Sequence, residues 1–242
     1  MGFLERLFGR QKEAVVLPTA GELAAERNQS EVPLDLLSQA VQEFKAKPHT
    51  PELITSTWQV VWQNWGERIG FNITVLALDR TQEELRELEK QGRGLAYVPE
   101  KLKSEGTRHV LGRIFPKMES DSVRVGSDYN VTNESRRSGW FDYEVRHKAP
   151  YLNTTDEQLK KEIASSGKEG MNLTEYIIAS QFSKLTTGHY LDEKNWVLLL
   201  ASRLGDGVVH ARFSPVGFLN VGASLHRPHP RLGGRSSGVK KA

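Results

Sequence analysis

The chain has 242 residues, is 38% hydrophobic and 26% charged, and carries a formal net charge of +3; that fits one large or two small globular domains with a core of their own. It contains no cysteine, which excludes disulfide scaffolding, Cys-ligated zinc, iron–sulfur clusters and thiol nucleophiles and favours a reducing compartment. The longest apolar run, Trp196 to Ala201, is far too short to cross a bilayer, and the first residues lack a signal peptide's apolar stretch and cleavage site, so a cytoplasmic protein is expected.

Residues 2–12 place Phe3, Leu4, Leu7 and Phe8 on one helical face flanked by Arg6, Arg10 and Lys12. Such a segment suits weak docking on the inner membrane surface or on a partner; a starting helix packed on its own domain is the alternative. A polar linker follows to residue 31. Leu34, Leu37, Val41 and Phe44 fall at helical spacing before the stop at Pro48, and a second helix spans Thr50 to Gly66. In that second helix Trp58, Trp62 and Trp65 share one face. A tryptophan stripe can stack on bases or sugars, but at this spacing it reads as core. Phe71 to Leu78 is expected as a buried strand. Thr81 and Glu84 form a capping box that opens a helix to Lys90, and Leu95 to Val98 makes a short strand.

Beyond about residue 110 strands and turns dominate. Val123–Gly126, Tyr129–Thr132 and Trp140–Val145 are strand-like; Thr154 and Thr155 start a helix reaching about Ser165, and Asn172 to Phe182 forms another. The expected organisation is α+β. A segment of residues 1–31 precedes a mostly helical region, 32–110, and a domain of short antiparallel strands, 111–242.

The last forty residues carry seven Lys or Arg against one acid, Asp206, so they are +6 while the first 202 sum to −3. Two alternating stretches, Gly207–Phe213 and Phe218–Leu225, are joined by Ser214-Pro-Val-Gly217, with Asp206-Gly207 as a hairpin turn. Successive strand residues face opposite ways. Val209, Ala211, Phe213, Leu219, Val221, Ala223 and Leu225 therefore form an apolar face, and Val208, His210, Arg212, Phe218, Asn220, Gly222 and Ser224 form a mixed one. A mixed face of this kind suits contact with a partner; an ordinary solvated face is the alternative.

No catalytic constellation is evident. Gly92-Arg-Gly94 lacks the spacing of a phosphate loop, and there is no HExxH. His226-Arg-Pro-His229 has a metal-like spacing without neighbouring acids, so neither a metal nor a cofactor is expected. Asp142, Glu144, Asp156, Asp192 and Glu193 are potential acid/base groups but read as solvated surface. The basic tail admits a nucleic-acid-binding accessory role as the alternative function, although its cations are dispersed and form no known signature.

A series of segments nonetheless resembles one family: Tyr176–Gln181, Leu185–Asp192, Trp196, Leu199–Arg203, Val208–Phe213 and Leu232-Gly-Gly-Arg-Ser236, with Tyr97–Pro99, Phe115–Met118, Asn130–Asn133, Gly139–Asp142 and Ala149–Asn153 upstream. Together they are similar to the variable proteins of diversity-generating retroelements found in small-genome bacteria, over about residues 80–242. The resemblance implies a C-type-lectin-like fold of the formylglycine-generating-enzyme type. In it, C-terminal strands display residues diversified by error-prone reverse transcription, and the ligand, expected to be a protein, is bound without catalysis. It implies a framework of Val208, Val209, Ala211, Phe213, Gly217, Leu219, Val221, Leu225, Leu232, Gly233, Gly234 and Arg235. The display set it implies is His210, Ser214, Pro215, Val216, Phe218, Asn220, Gly222, Ser224, His226, Arg227 and His229, to which strand parity adds Arg212. Animal-lectin calcium and sugar motifs are not evident, and a cysteine-free chain cannot perform the thiolate-dependent formylglycine reaction.

Overall fold

In the computed structural model, residues 34–104, 107–118, 131–134, 137–223 and 228–238 are described, all within one compact unit that begins at Val32. The amphipathic segment 2–12 and the expected strand 123–126 lie outside the described residues.

The two front helices form where the spacing predicts. Helix α1 covers Leu34–Ala46 and α2 covers Pro51–Glu67. The Thr50 side chain accepts from Leu53 N and so satisfies one of the donors that a helix start leaves free. The tryptophan stripe is core: Trp58, Trp62 and Trp65 are buried. Trp58 Nε1 donates to Leu95 O at 3.2 Å and Trp62 Nε1 to Tyr97 O at 2.9 Å, so both ring N–H groups are satisfied inside the protein.

Phe71 to Leu78 departs from expectation. Ile73 and Val75 are buried and alternate with exposed neighbours as in a strand, but Leu78 is buried out of that phase after exposed Leu76 and Ala77, and the segment joins no sheet. Side chains replace the ladder. Gln59 Nε2 donates to Ile73 O at 2.9 Å, Gln59 Oε1 accepts from Val75 N at 2.8 Å, and Thr55 Oγ1 accepts from Leu78 N at 3.1 Å. A period of two reports which side is buried; it does not report which groups complete the hydrogen bonds.

Helix α3 (Gln82–Lys90) opens with the full Thr81/Glu84 capping box and leads into β1 (Arg93–Val98). Short helices α4 (Glu100–Ser104) and α5 (Thr107–Ile114) follow, then β2 (Val131–Asn133), β3 (Gly139–Glu144), α6 (Asp156–Ser165), β4 (Glu169–Gly170) and α7 (Leu173–Thr187). The last strands are β5 (Trp196–Leu204), β6 (Gly207–Phe213), β7 (Leu219–Ala223), β8 (Leu232–Gly234) and β9 (Ser236–Gly238). The hairpin between β5 and β6 turns on Gly205-Asp206 rather than Asp206-Gly207, since Gly205 holds the positive φ of 58° and Gly207 already pairs with Leu204.

The described residues make an α+β fold with two sheets. One runs β1-β3-β9-β4, entirely antiparallel. The other runs β2-β5-β6-β7, antiparallel throughout, with β8 added parallel to β5 beside Trp196–Leu198. The sequence-derived front and back regions share the first sheet, because β1 pairs β3 along its whole length. Helix α7 packs between the sheets, touching β1 on one side and β5 and β6 on the other. Ten of its residues from Leu173 to Ser183 are buried, as expected for a helix surrounded by protein. The main core lies on this inner side. A second, smaller core of Leu159, Ile163, Leu198, Leu200, Val208 and Leu232 lies where α6 covers part of the opposite face of the C-terminal sheet. Among the described residues no helix is long and apolar enough to cross a membrane.

Candidate functional site

The alternation read from the sequence holds in the C-terminal hairpin as far as Val221; Ala223, expected inward, is exposed at the end of β7, beyond the residues that the core covers, and Leu225 lies outside the described residues. Val209, Ala211, Phe213 and Leu219 are buried, and Val221 packs partly buried against the same core. The register Ala211↔Val221 and Phe213↔Leu219 stacks these inward residues in pairs. On the outer side His210 lies opposite Gly222, and Arg212 opposite Asn220.

The outer side is not uniformly open. Val208 belongs to it by parity but is buried, because Leu159 and Ile163 of α6 close over that end of the sheet. What stays accessible is the other end, and it is organised by the first residue of the apolar run Trp196 to Ala201. Trp196 is only half-buried. Its ring meets His210 edge-on at 4.7 Å, and the Arg212 guanidinium sits 4.8 Å from its centroid. Cations over an indole face are attracted by the ring quadrupole. Arg212 Nε is sealed from solvent and has no hydrogen-bond partner among the described residues. A Cβ at Gly222 would lie 2.6 Å from His210 Nε2, so a larger residue there obliges the His210 ring to shift.

At the hairpin end Val216 and Phe218 are exposed, 68% and 44% respectively. Ser214 holds that loop, accepting from Phe218 N through Oγ at 3.0 Å while Ser214 N donates to Phe218 O at 2.8 Å. Gly217 adopts φ +101° and packs against the Tyr190 hydroxyl, and Tyr190 in turn stacks on Phe213 at 4.8 Å. The two exposed apolar side chains are thus carried on a loop tied to the core. Pro215 is exposed beside them. His229 is exposed and its Nδ1 accepts from Arg231 N at 3.1 Å, a turn-stabilising role. Ser224, His226 and Arg227 lie outside the described residues. No cluster of three or more His, Cys, Asp or Glu suited to a metal occurs among the described residues.

Burial lowers the pKa of His210 below its ordinary 6.5, so the ring is neutral at pH 7. A depressed histidine contributes stability that is present above pH 6.5 and is lost as pH falls through the folded-state value. The expected result of an NMR titration is a His210 midpoint below 6.5, returning toward 6.5 when Trp196→Ala opens the ring to water.

The acids read as solvated surface are not. Asp142, Glu144 and Asp192 are buried, while Asp156 and Glu193 are partly so. Arg93 bonds Asp142, donates to Glu144 Oε1 at 2.9 Å and reaches Ser236 Oγ at 3.0 Å; Lys168 adds a bond to Asp142 at 3.0 Å. Arg235, fully buried, donates Nε to Asp192 Oδ2 at 2.6 Å and Nη2 to Oδ1 at 3.0 Å, and its guanidinium also reaches the backbone oxygens of Glu144 and Arg146. Glu175, also buried, pairs with Arg137 at 2.8 Å. Each buried acid is therefore committed to a cation. Two arginines of the basic tail are likewise occupied: Arg235 by Asp192, and Arg203 by Glu134 at 2.9 Å. No spacing rule in the sequence marks these pairs, whose members lie 43 or more positions apart in the Arg235–Asp192 and Arg93–Asp142 cases. No protein-family model matches the chain, nor does any curated protein or solved structure.

Proposed function

We propose that the chain is a recognition protein that binds its ligand through the open end of the outer face of the C-terminal sheet. The same reading makes it a diversity-generating-retroelement variable protein on a C-type-lectin-like scaffold. The observation that carries the proposal is the division of one hairpin between two environments. Val209, Ala211, Phe213 and Leu219 are locked in the core, while His210, Arg212, Val216, Phe218 and Asn220 line the accessible side with Trp196.

Such a division separates folding from specificity. Surface substitutions away from special features change stability within about 0.5 kcal/mol, whereas large-to-small core changes cost about 2–5 kcal/mol. Outer residues can then change identity while the scaffold persists. Aromatic and arginine side chains together, as at Trp196, Arg212 and Phe218, are the types enriched at protein-binding hot spots, which favours a protein ligand. A non-enzymatic role accords with the buried acids, each of which is neutralised by Arg or Lys rather than poised in a cleft.

The encoding locus tests the proposal. The expected finding is a reverse-transcriptase gene together with an imperfect copy of the 3′ coding segment. Differences between the copies should fall on adenines in codons of outer-face positions such as 210, 216, 218 and 220 and spare 209, 211, 213 and 219. A locus without a reverse transcriptase and without such a copy overturns the diversification reading.

A further inference from the structure

Away from the outer sheet face, a pocket of about 500 Å³ opens between α1, α3, β1 and α7. Its volume falls in the range of small-molecule sites. The wall is dominated by Ile54, Leu85, Leu88, Leu95 and Phe182, and none of the recognition-face residues contributes to it. Polar groups reach it too, and nearly all are already engaged. Arg93 is held by Asp142, Glu144 and Ser236. His49 sits 2.7 Å from Glu89 Oε1 and 3.1 Å from Phe44 O. Ser183, Thr186 and Thr187 bond backbone oxygens. Lys45 is exposed.

Tyr143 is the exception. It is 97% buried as a residue and lines the pocket; its hydroxyl bonds no described residue, yet the oxygen is not sealed from solvent, so it opens on the pocket. Its cross-strand neighbour is Gly94, which offers no side chain to cover the ring. Such a hydroxyl is otherwise left to pocket water, and an acceptor on a ligand can take that water's place. Burial pushes the Tyr143 hydroxyl well above its ordinary pKa, so it is a donor and not a phenolate.

We propose that this pocket binds an uncharged, largely apolar small molecule that presents one acceptor oxygen, such as a ketone, ester or ether, to the Tyr143 hydroxyl. The chemistry of the wall selects that class. An apolar body matches the aliphatic and aromatic lining. A charged head buried beside Tyr143 would meet no buried countercharge left free, because the Arg93 guanidinium is saturated, the His49 ring is held by Glu89 and Phe44, and Lys45 is exposed to water. A single acceptor suits the Tyr143 hydroxyl that opens on the pocket.

The test uses the full chain and prodan, a neutral naphthyl ketone dye whose emission moves to the blue in apolar surroundings. Saturable binding of one dye per chain with blue-shifted emission is expected. Tyr143→Phe should weaken binding about three- to tenfold, the loss of one hydrogen bond. Without dye, that variant should keep or raise its Tm, because it removes a hydroxyl with no protein partner. Leu88→Trp should fill the pocket and abolish binding. Three results overturn the proposal: dye uptake that does not saturate, Tyr143→Phe affinity equal to the parent's, or a marked fall in the dye-free Tm of Tyr143→Phe. Tighter binding of the anionic dye ANS than of prodan overturns the uncharged class. The dye-free Tm keeps the test decisive if Leu88→Trp does not fold. None of these readouts depends on the recognition face.

Discussion

Replacing Arg235 by methionine is expected to destabilise the fold by about 3–5 kcal/mol, the cost of removing one partner from a buried ion pair. The residue and its partner Asp192 are both fully buried, and the guanidinium makes two bonds to the carboxylate and two to backbone oxygens. Its loss strands a carboxylate that cannot reach water. The pH dependence distinguishes this mechanism from simple loss of packing. Burial already raises the Asp192 pKa against the pull of Arg235, and without Arg235 it rises further. A raised carboxylate contributes stability that is complete below its unfolded value and is lost as pH rises through the folded one. The gap between the variant and the parent should therefore be widest at neutral pH and narrow on acidification. Thermal or urea unfolding at several pH values measures it. Adding Asp192→Leu to Arg235→Met should recover part of the loss, since an apolar pair of similar volume avoids the stranded charge. A gap independent of pH would show that the pair acts through packing alone.

Phe213→Ala and Phe218→Ala make the same chemical change at two ends of one hairpin and should give opposite outcomes. Phe213 is fully buried between Tyr190, stacked at 4.8 Å, and Tyr176 at 5.8 Å. Deleting its ring should cost about 3–5 kcal/mol. Phe218 is 44% exposed and bonds the hairpin through its backbone, which alanine retains. Its truncation should change stability by no more than about 0.5–1 kcal/mol while reducing ligand capture. Urea unfolding of the two variants decides the matter. Equal losses at the two positions would remove the division on which the recognition face rests.

Much of the fold is local chemistry and is therefore visible in the chain. Thr50, Thr81, Thr155 and Asn172 each cap the helix that follows, because a side-chain oxygen three residues before a free N–H satisfies it wherever the chain goes next. The inward set Val209, Ala211, Phe213 and Leu219 is legible for a similar reason: strand parity is a property of the backbone. The site is legible only in part. Trp196 was not separable from the apolar run it begins, since its place beside His210 and Arg212 depends on how β5 pairs with β6. Val208 shows the converse. Parity puts it outside, and only α6, whose helix starts some fifty residues earlier in the chain, explains its burial.

The acids mark the boundary most clearly. Asp142, Glu144 and Asp192 carry no local signature, and isolated carboxylates are expected in water. They are buried because β1, β3, β9 and the turn before β5 bring Arg93, Lys168 and Arg235 to them. Residue types and their short-range spacing settled where helices begin, which side of the β6–β7 hairpin meets the main core as far as Val221, and the absence of thiol chemistry. Which charges are hidden, which end of the outer sheet face stays open and where a pocket forms were settled by long-range packing alone, because each depends on partners that no periodicity within a single segment can encode.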